Sequence, residues 1–165
     1  MNHSAPARLP DPGAGAPDFT LPDTHGTPVH LGDLRGRATL LVFFPFAFSR
    51  ICHQELAGLD EHVDTFAGAA TEVLAISCDP VHSLRAWAEQ EGFGMRLLSD
   101  FWPHGQVATS YGVFDDDAGH PVRGSVLVDA AGQVAWTTLS PPGRARSLTE
   151  HVEAVRTLAA RRVGT

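Results

Sequence analysis

Thr39-Leu40-Leu41-Val42-Phe43-Phe44-Pro45-Phe46-Ala47-Phe48-Ser49-Arg50-Ile51-Cys52 is the stretch on which the fold turns. Its first six residues are apolar without alternation, the pattern of a strand covered on both faces. Pro45 ends the run, because proline brings no N–H to continue a ladder. Beyond it Cys52, Leu56, Leu59, Val63 and Phe66 recur at steps of four, three, four and three. That spacing predicts one helix with a core-facing stripe. Ser49, three residues before Cys52, is placed to cap it. A buried strand therefore runs into a helix, and a thiol stands at the join.

Outward from this unit the chain alternates elements. Pro17 to Leu21 and Pro28 to Leu31 read as two short extended pieces around the Asp23-Thr24-His25-Gly26 turn. Glu72 to Ser77 is a second apolar strand. Asp79-Pro80 predicts a cap and a first-turn proline for a helix with Leu84, Trp87 and Ala88 on one face, stopped by Gly92. A short segment at Leu97-Leu98 and a brief helix ending near Gly112 follow. Val122 to Asp129 and Val134 to Leu139 read as a hairpin. Ser147-Leu148-Thr149-Glu150 opens a last helix with a capping-box pattern. Strand, helix, strand, helix, hairpin and helix make an α/β domain with a central mixed sheet flanked by helices.

Composition narrows the chemistry. The chain has 165 residues, 43% of them hydrophobic, which suits one folded domain. A net charge of -7 argues against a nucleic-acid partner, which calls for a basic face. All 12 basic residues are arginine, so lysine chemistry is excluded. Residues 1–14 are rich in Pro, Ala and Gly and are expected to form a flexible tail, with the domain over 15–162. No signal-peptide core or membrane-length apolar run is visible, so a cytoplasmic location is expected. Two cysteines, Cys52 and Cys78, are too few for a disulfide framework.

Cys52 stands at a helix N-terminus, where unpaired backbone N–H groups favour a thiolate over a thiol. The alternative is a small buried residue on the helix stripe. Glu55 occupies the position where a Cys-x-x-Cys exchange motif needs its second cysteine, so that chemistry is excluded.

Pro45-Phe46-Ala47-Phe48-Ser49-Arg50-Ile51-Cys52 resembles the Pro-x-x-x-Thr/Ser-x-x-Cys signature of peroxiredoxins, thiol peroxidases on an elaborated thioredoxin fold. Ala16-Pro17-Asp18-Phe19-Thr20-Leu21 looks like the family's opening strand. Ser99 to Gly105 (SDFWPHG) and Tyr111-Gly112-Val113-Phe114 resemble the alkyl hydroperoxide reductase E subgroup, a one-cysteine branch found in actinobacteria. Arg123-Gly124-Ser125 matches the Arg-Gly-Thr that carries a family arginine. The resemblance runs from about Gly15 to the last helix. It implies a sulfenic acid formed on Cys52, with peroxide oxygens held by the Ser49 hydroxyl and the Cys52 N–H. It further implies that Arg123 holds the thiolate, Pro45 shields the sulfur, and Glu55 either orients the arginine or ties down the first helical turn. Ser49 stands where threonine is commoner; the hydroxyl is kept and activity is expected to survive. Arg50 replaces a common glycine and is expected to be a solvated first-turn residue, with added positive potential near the thiol as the lesser reading.

Cys78 ends the second strand on the same rim as Cys52. Known resolving cysteines of the family sit elsewhere, so a structural thiol is the preferred reading and a resolving role the lesser one. The one-cysteine cycle then needs an external thiol: a low-molecular-weight thiol such as mycothiol, or a mycoredoxin- or thioredoxin-like protein. A homodimer or higher homo-oligomer is implied by analogy. Nine histidines show no metal-ligand spacing, so neither metal nor cofactor is expected. The expected substrates are hydrogen peroxide, organic hydroperoxides and peroxynitrite. The alternatives are a redox sensor or relay, or a biosynthetic peroxiredoxin-like protein with low turnover of simple peroxides.

Overall fold

The computed structural model describes residues 5–163. β1 (Thr20–Pro22) and β2 (Pro28–His30) pair as an antiparallel hairpin, and a 3-10 turn covers Leu31–Leu34. β3 (Ala38–Phe43) leads to α1 (Arg50–Asp60) and α2 (Val63–Gly68), then to β4 (Thr71–Ser77). α3 (Val81–Glu91), β5 (Arg96–Ser99) and α4 (Gln106–Ser110) follow. Two short strands, β6 (Phe114–Asp115) and β7 (His120–Pro121), precede β8 (Arg123–Val128), β9 (Val134–Ser140) and α5 (Leu148–Val163).

The central sheet has the order β5-β4-β3-β8-β9. β3, β4 and β5 run parallel, while β8 is antiparallel to both β3 and β9. This is the expected mixed sheet, and its pleat explains the unbroken apolar run of β3. Leu41 and Phe43 enter one core with Phe19, Val29, Ala108 and Tyr111. Leu40, Val42 and Phe44 enter the other with Leu56, Leu84, Trp87 and Val155. Successive side chains point to opposite faces, and both faces are covered here. Each full burial of this kind contributes about 1.5–3 kcal/mol, so β3 is the keel of the domain.

Three local expectations are corrected. The helix read as continuous from Cys52 to Phe66 breaks after Asp60, whose carboxylate accepts from the Gly94 and Met95 N–H groups instead. The apolar stripe crosses the break, with Leu59 and Phe66 both buried, so periodicity alone does not reveal it. Pro80 is the N-cap of α3 rather than a first-turn residue, and no side chain caps that helix. Asp79 turns away and accepts from the Ala47 N–H and the Ser77 hydroxyl, at 2.8 and 2.7 Å.

The lead-in read as a tail meets the domain from Arg8 onward. Arg8 N–H donates to the Gly112 carbonyl, and Gly13 N–H to that of Val134. Gly112 has φ of +72°, and a Cβ there would collide with the Arg8 carbonyl, so glycine is required. The part of that lead-in covering residues 1–4 lies outside the described residues.

Candidate active site

The site is built at the rim where the parallel strands end. Phe44 N–H still bonds to Ile76 beyond the end of β3, and Pro45 is buried where the chain turns away from β4. Phe48 takes φ of +66°, a left-handed conformation that costs a bulky residue free energy. The loop around it is held by Asp79 through Ala47 and by the Phe48–Trp87 ring contact at 6.1 Å. Ser49 is the N-cap of α1, as expected, with its hydroxyl oxygen 3.4 Å from the donating Cys52 N–H. Cys52 therefore lies in the first turn of α1, with its side chain 0% exposed in the core. Arg50 is exposed on that turn.

Opposite the thiol stands Arg123, the first residue of β8. It is 9% exposed, and its Nη2 lies 3.8 Å from Cys52 Sγ. Its Nε donates to Glu55 Oε1 at 3.2 Å. One helical turn after Cys52, Glu55 thus faces the same interior as the sulfur. The structure brings Cys52, Ser49, Glu55 and Arg123 together, with Pro45 buried at the entry to the loop.

One member of the cluster was not predicted. Arg146, in the loop before α5, donates from Nε to Glu55 Oε2 at 2.8 Å and from Nη2 to Oε1 at 3.1 Å. Its Nη1 reaches the Phe43 and Gly124 carbonyls at 2.6 and 2.9 Å. The lone carboxylate is thereby shared by two guanidinium groups, leaving one excess positive charge beside the sulfur. Such a buried cluster holds together only if each charge is paired and hydrogen-bonded. Nothing in the Pro141-Pro142-Gly143-Arg144-Ala145-Arg146 stretch signals this role, since its partners Glu55 and Phe43 lie 91 and 103 residues earlier and Gly124 lies on another element.

Cys78 presents the opposite environment. It follows β4, is 7% exposed, and lies beside Asp79 and Asp100. Burial first, then the two carboxylates, push its thiol up to about 12. Both cysteines are free thiols. Among the described residues no group of three or more His, Cys, Asp or Glu side chains could hold a metal ion. No described helix is long and apolar enough to cross a membrane.

Residues 12–137 match the AhpC/TSA family. Alkyl hydroperoxide reductase E of Mycobacterium tuberculosis is 44% identical over 149 residues, covering 90% of this chain and 97% of that protein. Among solved structures, the peroxidoxin BcpB of Mycobacterium tuberculosis superposes with a TM-score of 0.79 at 31% identity, over 90% of this chain and 96% of that one. AhpC of Enterococcus faecalis does so with 0.81 at 29% identity, over 92% of both chains. With a thioredoxin-like fold, these matches along most of its length and a helix-capped cysteine facing an arginine, the chain belongs to the AhpC/TSA family of peroxiredoxin-type enzymes.

Proposed function

We propose that this enzyme reduces hydrogen peroxide and organic hydroperoxides, and peroxynitrite, through Cys52. The observation that carries the reading is Arg123 held 3.8 Å from the Cys52 sulfur by a carboxylate that it shares with Arg146. The Cys52 thiolate attacks the terminal peroxide oxygen; an S–O bond forms as the O–O bond breaks. The leaving alkoxide or hydroxide takes up a proton and departs as alcohol or water, and Cys52 becomes a sulfenic acid. Arg123 stabilises the negative charge as it moves along the peroxide, with a guanidinium that stays charged throughout. The Ser49 hydroxyl and the first-turn N–H groups hold the peroxide oxygens, and Pro45 keeps water from the sulfur.

The sulfenic acid then condenses with an external thiol, releasing water, and a second thiol frees Cys52 as a disulfide leaves. A mycothiol-like small thiol or a mycoredoxin- or thioredoxin-like protein fits this role, because Cys78 is a buried and protonated thiol. Two free cysteines also suit the cytoplasm, where thiols are kept reduced. Phe46, Phe48, Phe101 and Trp102 expose large rings in the loops after β3 and β5, at the rim that carries Cys52. A homodimer that covers these rings accounts for them, and sedimentation at micromolar concentration should give twice the chain mass.

The test is steady-state peroxide consumption with mycothiol plus mycoredoxin, or with thioredoxin, as reductant. Sustained turnover by the wild type, and none by Cys52→Ser, is expected. Oxidation of Cys52 without turnover under any reductant would instead mark a sensor.

A further inference from the structure

His151 and Ser125 lie behind the arginine cluster, and the mechanism above uses neither. We propose that the His151–Ser125 pair is the positioning device that orients Arg146 and, through the carboxylate of Glu55, Arg123 against the thiol. The inference rests on the peroxidase reading of Cys52.

The hydrogen bonds have only one consistent direction. His151 and Ser125 are 2% and 0% exposed, so neither can turn to water. His151 Nδ1 lies 2.6 Å from the Ser147 carbonyl, which only accepts, so Nδ1 carries the proton. Nε2 of the neutral ring is then an acceptor, and the Ser125 hydroxyl 2.8 Å away donates to it. That commits the one hydroxyl proton of Ser125 and leaves its lone pairs for Arg146 Nη1 at 3.3 Å. Arg146 is thus gripped on one edge by Ser125 with the Phe43 and Gly124 carbonyls, and on the other by Glu55. Glu55 Oε1 in turn takes Arg123 Nε. The chain His151, Ser125, Arg146, Glu55, Arg123, Cys52 is continuous.

A proton on His151 reverses its first link. Nε2–H would point at Ser125, turn the hydroxyl proton away from the ring, and set a second cation against Arg146. The groups facing His151 are the Ser147 carbonyl at the start of α5, Ser125 on β8, the Trp136 ring on β9 at 5.1 Å, Arg146, and Glu55 on α1. Burial is the largest influence and lowers its pKa; the Ser147 bond raises it, Arg146 lowers it, and Glu55 raises it. A cleft of about 190 Å³ borders Glu55, Arg146 and His151. His151 is therefore a neutral strut, and acid loosens the arginines through it.

Two measurements test this. Nitrogen-detected NMR of histidine-labelled protein at neutral pH should show His151 as the neutral Nδ1–H tautomer; an Nε2–H or charged ring overturns the proposal. Stopped-flow oxidation of Cys52 by hydrogen peroxide, followed from pH 8 to 5, should be about fivefold to tenfold slower in His151→Phe at pH 8, the rate equivalent of one hydrogen bond, and the two rates should draw together toward pH 5. His151→Gln, whose amide oxygen can accept from Ser125, should recover most of that rate without the acid limb due to the histidine. Ser125→Ala should show the same loss as His151→Phe, which covers the case in which the phenylalanine variant does not fold. Wild-type rate and pH profile in folded His151→Phe or Ser125→Ala overturn the proposal. Failure of wild-type Cys52 to oxidise removes the peroxidase reading itself, an outcome distinct from equal profiles in an active enzyme.

Discussion

Cys78 lies beside Asp79 and Asp100, and its thiol is pushed up to about 12 by burial first and those carboxylates second. At pH 8 roughly one such thiol in ten thousand is ionised, so native Cys78 should resist iodoacetamide. Tryptic mass spectrometry should find it alkylated only after denaturation; rapid native labelling would contradict the geometry. Glu55 is the second residue with a sharp expectation. Its side chain is 3% exposed between Arg123 and Arg146. Glu55→Gln keeps the shape but leaves two guanidinium groups facing a neutral amide. Removing one partner of a buried ionic cluster costs about 3–5 kcal/mol. Urea denaturation should report a loss of that size with the slope m unchanged. Peroxide reactivity should fall as well, since Arg123 loses its anchor.

Among the elements, α5 begins where the site ends. The Ser147 hydroxyl accepts from the Glu150 N–H at 3.2 Å, and its carbonyl accepts from His151. Ser147→Ala removes only the first of these and should cost about 1 kcal/mol, the usual worth of an N-cap, read as a lower urea midpoint. Caps of this kind were legible in the sequence, as were the β3 run and the pair Ser49 and Cys52, because each is a local pattern of a few residues. Glu55 and Arg123 were legible only through resemblance to a family. Arg146 was not legible at all: no periodicity marks a loop arginine whose partners are Phe43, Glu55 and Gly124. The break after Asp60 was hidden because the apolar stripe runs across it, and the bonds that tie the Asp60 side chain to Gly94 and Met95 reach far along the chain. Asp79 misled by being a good cap in sequence and a better loop clamp in space.

At the scale of the whole molecule, pH should act on stability through two buried groups of opposite sign. His151 has its pKa lowered by burial, so the unfolded chain binds its proton first as pH falls. Its contribution is complete above the ordinary histidine value of about 6.5 and is lost as pH drops below it. Asp100 has its pKa raised by burial, against bonds from the Ala108 and Val107 N–H groups. Its contribution is present at pH below the ordinary aspartate value and is lost as pH rises through the folded one. Thermal melts of wild type and His151→Gln should therefore converge between pH 7.5 and 5.5, as the wild type loses its histidine contribution; parallel curves would contradict this sign. All of these effects converge on one sulfur set in a positive pocket of an acidic protein. The most direct test is mass spectrometry after one equivalent of hydrogen peroxide with a sulfenic-acid trap, on wild type, Cys52→Ser and Cys78→Ser. The trap should label Cys52 in wild type and Cys78→Ser, and nothing in Cys52→Ser. Label on Cys78 with Cys52 left reduced would contradict the account.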